Sequence, residues 1–96
     1  MTMREQVNFA VSDLSGRSGV APGQIQMLQG GSVQWRSGAL GCPEPGQFYT
    51  EALVPGVLLT LGVDGKVYHY HATRGGQPFL CPDARRQPPV SGGALD

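Results

Sequence analysis

The sequence predicts an α+β domain: one N-terminal helix packed on a single antiparallel sheet of about four strands, in the order α-β-β-β-β. Three observations predict it. Residues 2–19 carry an apolar stripe at helical spacing, and residues 57–73 read as a hairpin around Asp64-Gly65. Two cysteines, Cys42 and Cys81, each followed by proline, bracket that hairpin.

In the helix, Met3, Val7, Ala10, Val11, Leu14 and Ser18 recur at the 3.6-residue period, while Arg4, Glu5, Asn8, Ser12 and Asp13 lie elsewhere. Thr2-Met-Arg-Glu5 fits a capping box, and Gly16 and Gly19 are candidate stops. Phe9, opposite Val7, reads as an ordinary exposed aromatic rather than a contact residue. After the Pro22-Gly23 turn signal, Gln24 to Trp35 alternates loosely, and the interruption at Gly30-Gly31 predicts a bend or bulge there. A proline- and glycine-rich loop is expected over 36–56, ordered but irregular.

Val57 to Val63 and Lys66 to Thr73 form the predicted hairpin, with Leu61 facing Tyr68 and Leu59 facing Tyr70. One face then carries Val57, Leu59, Leu61, Val63, Tyr68 and Tyr70 and must meet the helix. The other carries Leu58, Thr60, Val67, His69 and His71, a half-polar set that suits solvent. Gly75-Gly76 makes a further turn before a short final strand, Pro78 to Cys81. Residues 1–83 are read as one globular domain. Residues 84–96 hold little apolar material and are expected to form a disordered tail.

Ninety-six residues leave room for one core. Seven basic and seven acidic side chains cancel, and neither sign forms a run. The basic stripe of a nucleic-acid binder and the polybasic cluster of a membrane anchor are both missing. No apolar run approaches the roughly 20 residues that span a bilayer, so membrane insertion of this segment is not expected. Only 15% of residues are charged, against fifteen glycines and eight prolines, which favours turns and loops over long helices.

For Cys42 and Cys81 the favoured reading is a structural disulfide, suggested by the even count, the absence of Cys-x-x-Cys and the turn-rich small chain. The rival readings are a reactive thiol and half of a metal site. A disulfide implies an extracytoplasmic location, secreted, periplasmic or surface-anchored. The start Met1-Thr-Met-Arg-Glu-Gln6 lacks a signal-peptide core, so a targeting segment is expected to precede the natural chain, with Met1 an expression start.

His69 and His71, spaced i, i+2 on a strand, project from one face about 7 Å apart and are the candidates for a metal. A third ligand would have to come from Glu44, Glu51 or Asp83, and two surface histidines are the plainer reading. No serine sits in a nucleophile elbow, the acids are scattered, and no phosphate loop has a strand–loop–helix context. Neither catalysis nor a cofactor is expected. Trp35 and Tyr49 flank the loop either as lids over the sheet or as an aromatic patch, and Glu44 and Gln47 would form the rim of such a contact surface.

Trp35, Leu40-Gly-Cys-Pro-Glu-Pro-Gly46, Tyr49, Val54-Pro-Gly56, Tyr68-x-Tyr-His71 and Cys81 together resemble a family of small bacterial extracytoplasmic domains of unknown function. The resemblance covers roughly residues 5–81. It implies location, disulfide and fold type, and it carries no catalytic or ligand-binding residues. The family often has an acidic residue shortly after the tryptophan, where this chain has Arg36-Ser37.

The resulting expectation is a non-enzymatic accessory or interaction domain of an exported bacterial protein, meeting a protein or cell-envelope component. Two other functions are carried beside it. One is a protease-inhibitor-like binder that presents the Gly41–Gly46 loop, and the other is a metal-dependent enzyme built on His69 and His71.

Overall fold

A computed structural model describes residues 1–92 of the chain. Helix α1 spans Met3–Ser18. Its start is closed by the expected capping box: the Glu5 N–H donates to Thr2 Oγ1 at 3.1 Å, and the Thr2 N–H donates to Glu5 Oε1 at 2.7 Å. Gly19 closes the other end in the left-handed region (φ 75°), its N–H on the Ser15 carbonyl.

The strands are β1 (Gln26–Trp35), β2 (Val54–Val63), β3 (Lys66–Thr73), β4 (Phe79–Cys81) and β5 (Ser91–Gly92). They form one sheet in the order β4-β3-β2-β1-β5, antiparallel throughout. The α+β class and the helix-on-sheet arrangement are as expected, with a two-residue fifth strand added at one edge. Asp64 and Gly65 both take positive φ (49° and 79°), the requirement of a tight two-residue hairpin turn. The β2–β3 register pairs Leu61 with Tyr68 and Leu59 with Tyr70, as the alternation predicted.

That register sends Val57, Leu59, Leu61, Val63, Tyr70 and Ala72 into a core shared with Ala10 and Leu14 of α1, flanked by Val7 and Val11. The buried stripe of the helix is rotated from the predicted one. Met3 and Ser18 are exposed, and Gln6 is buried instead. Gln6 is tolerated there because its amide donates to the carbonyls of Thr73 (3.1 Å) and Gly76 (2.8 Å), tying the helix to the β3–β4 turn. Near the other end the Tyr70 hydroxyl donates to Asp13 Oδ2 at 2.6 Å, and Arg17 reaches the same oxygen at 2.6 Å. Phe9 is half-buried.

Three expectations are corrected. The bulge in β1 falls between Met27 and Gln29, whereas Gly30 and Gly31 stay in register with Leu59 and Leu58. The face of the sheet away from the helix is not left to solvent: His71 is fully buried and Thr60 is 6% exposed. Finally, the segment from residue 84 to 92 is held against the body rather than disordered. It leaves β4 through a short turn at Asp83–Arg85, crosses the second face and ends as β5 against Val33 and Gln34. Backbone bonds from Gln87 N–H to the Gly41 carbonyl (2.8 Å) and from Val90 N–H to the Gln34 carbonyl (2.9 Å) hold it. Main-chain pairing supplies the attachment that apolar composition lacked. The rest of the expected tail, 93–96, lies outside the described residues.

Candidate functional site

Residues 36–53 leave β1 at Trp35, fold back over the second face of the sheet and return into β2. A backbone bond from Gly38 N–H to the Thr50 carbonyl (2.9 Å) closes the neck of this loop. Midway, Cys42 is bonded to Cys81 at the end of β4, their Cα atoms 5.9 Å apart. The disulfide thus joins the loop to the opposite edge of the sheet from β1, and neither cysteine is free for metal or thiol chemistry.

Two residues the sequence left ambiguous anchor the loop from beneath. The Trp35 ring is fully buried and lies on His71, ring centroids 4.5 Å apart and planes 21° off parallel. Its indole N–H donates to the Ala72 carbonyl at 2.9 Å. Trp35 is therefore a lid over the sheet and offers no contact surface. His71 Nδ1 lies 2.7 Å from the Leu40 carbonyl. A carbonyl only accepts, so the proton sits on Nδ1 and the lone pair on Nε2. Nε2 is buried without a protein partner. Burial in the first place, with the charges of His69 and Arg86 adding to it, pushes the His71 pKa down to about 4, against the opposing pull of the Leu40 bond.

The backbone above them is tightly specified. Leu40 and Gly41 both have positive φ (55° and 71°). A Cβ on Gly41 would stand 2.5 Å from the Trp35 ring and 2.8 Å from the Gln87 carbonyl oxygen, so only glycine fits between tryptophan and the C-terminal strap. Further out, the Glu44 N–H donates to the Tyr49 hydroxyl at 3.0 Å, bracing the tip across Pro45 and Gly46. Arg85 of the strap pairs with Glu44 at 3.3 Å, an exposed contact of small energetic weight. A cleft of about 270 Å³ lies between Leu40, Cys42, Tyr49, Phe79 and Arg85.

Of the four candidate contact residues, Trp35 is buried, Tyr49 is half-buried against the tip, and Glu44 and Gln47 are exposed. The residue that sequence reasoning passed over is Phe48. Its side chain is 99% exposed, and Leu53 in the same loop is 63% exposed. The available signal was its position: with Tyr49 turned inward to brace Glu44, its neighbour Phe48 is turned outward.

His69 and His71 do not converge on a metal position. His69 Nδ1 is 3.3 Å from Thr60 Oγ1, and His71 is committed to Leu40. No group of three or more His, Cys, Asp or Glu side chains is gathered among the described residues. No described helix is long and apolar enough to cross a membrane.

The fold and the pinned loop define a small disulfide-stapled α+β domain whose second sheet face is roofed by its own loop and strap. Residues 7–81 match the model of the Domain of unknown function (DUF8738), and the chain belongs to that family. The match runs from the first turns of α1 to the second cysteine and stops before the strap. No curated protein and no solved structure matches the chain.

Proposed function

We propose that this domain is a non-enzymatic interaction module of an exported bacterial protein, and that it meets its partner through the tip of the 36–53 loop with Phe48 as the anchor. The observation that carries this reading is the exposure of Phe48, 99%, on a loop otherwise fixed by a disulfide, a closed neck and a buried tryptophan. An aromatic ring held out on a rigid loop binds with little ordering cost. Exposed Glu44 and Gln47 beside it give the polar rim common to such surfaces. An extracytoplasmic setting is supported by the disulfide, since cytoplasmic thiols are kept reduced. Resemblance to small bacterial exported domains supports the same setting.

Site-specific photocrosslinking in the envelope fraction of the source organism tests the reading. A photoreactive residue at Phe48 is expected to yield a discrete adduct with an exported or envelope protein. The same residue at Asn8, on the exposed side of α1, is expected to yield none. Phe48→Ala should abolish competition for that adduct without unfolding the domain. Equal adducts from both positions, or full competition by Phe48→Ala, would remove the loop from the interface.

A further inference from the structure

Beyond the loop, the outer edge of β1 is a second surface without a partner. The strand is ten residues long and pairs with β2 along nearly its whole length, but on its other side only Val33 and Gln34 are covered, by Gly92 and Ser91. Gln26 to Ser32 therefore forms an open edge. The Gln34 carbonyl already accepts from Val90 and so points away from β2. Because backbone groups alternate in direction along a strand, Ser32 and Gly30 direct their N–H and C=O outward as well.

Native edges are commonly guarded by lysine, proline or a covering element. Here Gln26–Trp35 contains no charged residue and no proline, and the one guard is the bulge at Leu28. Met27 and Leu28 are 39% and 46% exposed. The two lie on opposite faces of the sheet, since Met27 pairs with Leu61 of the helix-facing row while Leu28 packs over Gly62 of the other row. A strand added at this edge would thus gain apolar cover on both faces.

We propose that this edge is the contact between two copies of the chain, pairing β1 with β1 in antiparallel fashion about a two-fold axis near Gln29. Three features select a second copy as the occupant. β5 shows that the edge accepts an antiparallel neighbour, and it ends the free stretch at Ser32, which sets the axis near the middle of Gln26 to Ser32. An isologous contact opposes a segment to itself, so any charge in it would face its own kind, and this segment has none. The whole chain is also neutral, so two copies approach without net repulsion. The paired sheets form one continuous ten-stranded sheet, with both 36–53 loops at its outer parts.

Sedimentation velocity on the wild-type protein from micromolar to millimolar concentration tests this, together with Gln29→Lys and Gln29→Glu. The expected result is a concentration-dependent wild-type dimer, monomers for each variant alone, and a dimer restored when the two variants are mixed. Amide exchange on the wild type adds a readout free of mutation: Gly30 and Ser32 should become protected only in concentrated samples. A wild-type monomer at every concentration overturns the proposal. So does a Gln29→Lys protein that still dimerises, a mixture that stays monomeric, or unchanged exchange at Gly30 and Ser32.

Discussion

Trp35 and His71 lie ring on ring at 4.5 Å beneath the loop, each with one nitrogen committed to a backbone carbonyl. The pair sets the height at which residues 36–49 cross the sheet. It also places an ionisable ring where its charged form has no partner for Nε2.

The first prediction is a pH dependence with a defined sign. His71 has its folded pKa lowered from 6.5 to about 4, so the unfolded chain binds the extra proton first. Stability from this group is complete above the unfolded value and is lost as pH falls from about 6.5 toward 4. The loss is at most about 3 kcal/mol. His69 is shifted in the same direction, chiefly by burial, and adds to the trend. Urea midpoints followed by the fluorescence of the single tryptophan should fall across this window, and His71→Phe should flatten most of the slope.

Reduction is the second test. Cys42 and Cys81 are 39 residues apart, and closing a loop of that size is worth about 4 kcal/mol in the chain-entropy account. Cys42→Ala/Cys81→Ala should lose stability on that scale. Alkylation of protein recovered from an oxidising compartment without reductant should label neither thiol.

Much of the fold was legible because local rules and tertiary packing agree there. The capping box at Thr2 and Glu5, the Asp64-Gly65 turn and the Leu59/Tyr70 and Leu61/Tyr68 pairs each follow from short-range chemistry. The second face was not legible. Its roof is built from the irregular 36–53 loop and a strap poor in apolar residues, joined by main-chain bonds such as Gln87 to Gly41 that leave no side-chain pattern. His69 and His71 look alike in the sequence, yet one is half-buried and the other sealed, since only His71 lies under Trp35 and Leu40. The candidate site was half legible: the cysteines and prolines marked the loop, but nothing in its composition separated the buried Trp35 from the exposed Phe48.

The two faces of β2 should now respond more similarly than simple alternation suggests. Leu61→Ala, fully buried against α1, should cost about 2–5 kcal/mol by transfer and cavity terms. Thr60 faces the roofed side with its hydroxyl near His69, so Thr60→Ala should cost about 1 kcal/mol rather than nothing. Chemical denaturation of the two variants checks the hairpin register and the roof together.

Gly56 supports the loop from β2, and its replacement is the sharpest steric test of the Trp35 position. A Cβ there would stand 2.1 Å from the indole nitrogen and 2.5 Å from the Ala72 carbonyl oxygen that this nitrogen bonds. Neither obstacle can yield alone: the carbonyl is in the β2–β3 ladder, and the indole is wedged against His71. Gly56→Ala should therefore break the Trp35–Ala72 bond and lift the tryptophan, at a cost of about 1–3 kcal/mol from overpacking. Gly30→Ala provides the control. Its Cβ would meet the terminal methyl of half-exposed Met27 at 2.4 Å, which can swing aside, and Leu59 at 3.3 Å. That variant should lose less than 1 kcal/mol or so and leave tryptophan emission unchanged. A red-shifted emission in Gly56→Ala alone is the expected outcome; equal spectra for both variants would mean that Trp35 is not seated against the β2 backbone.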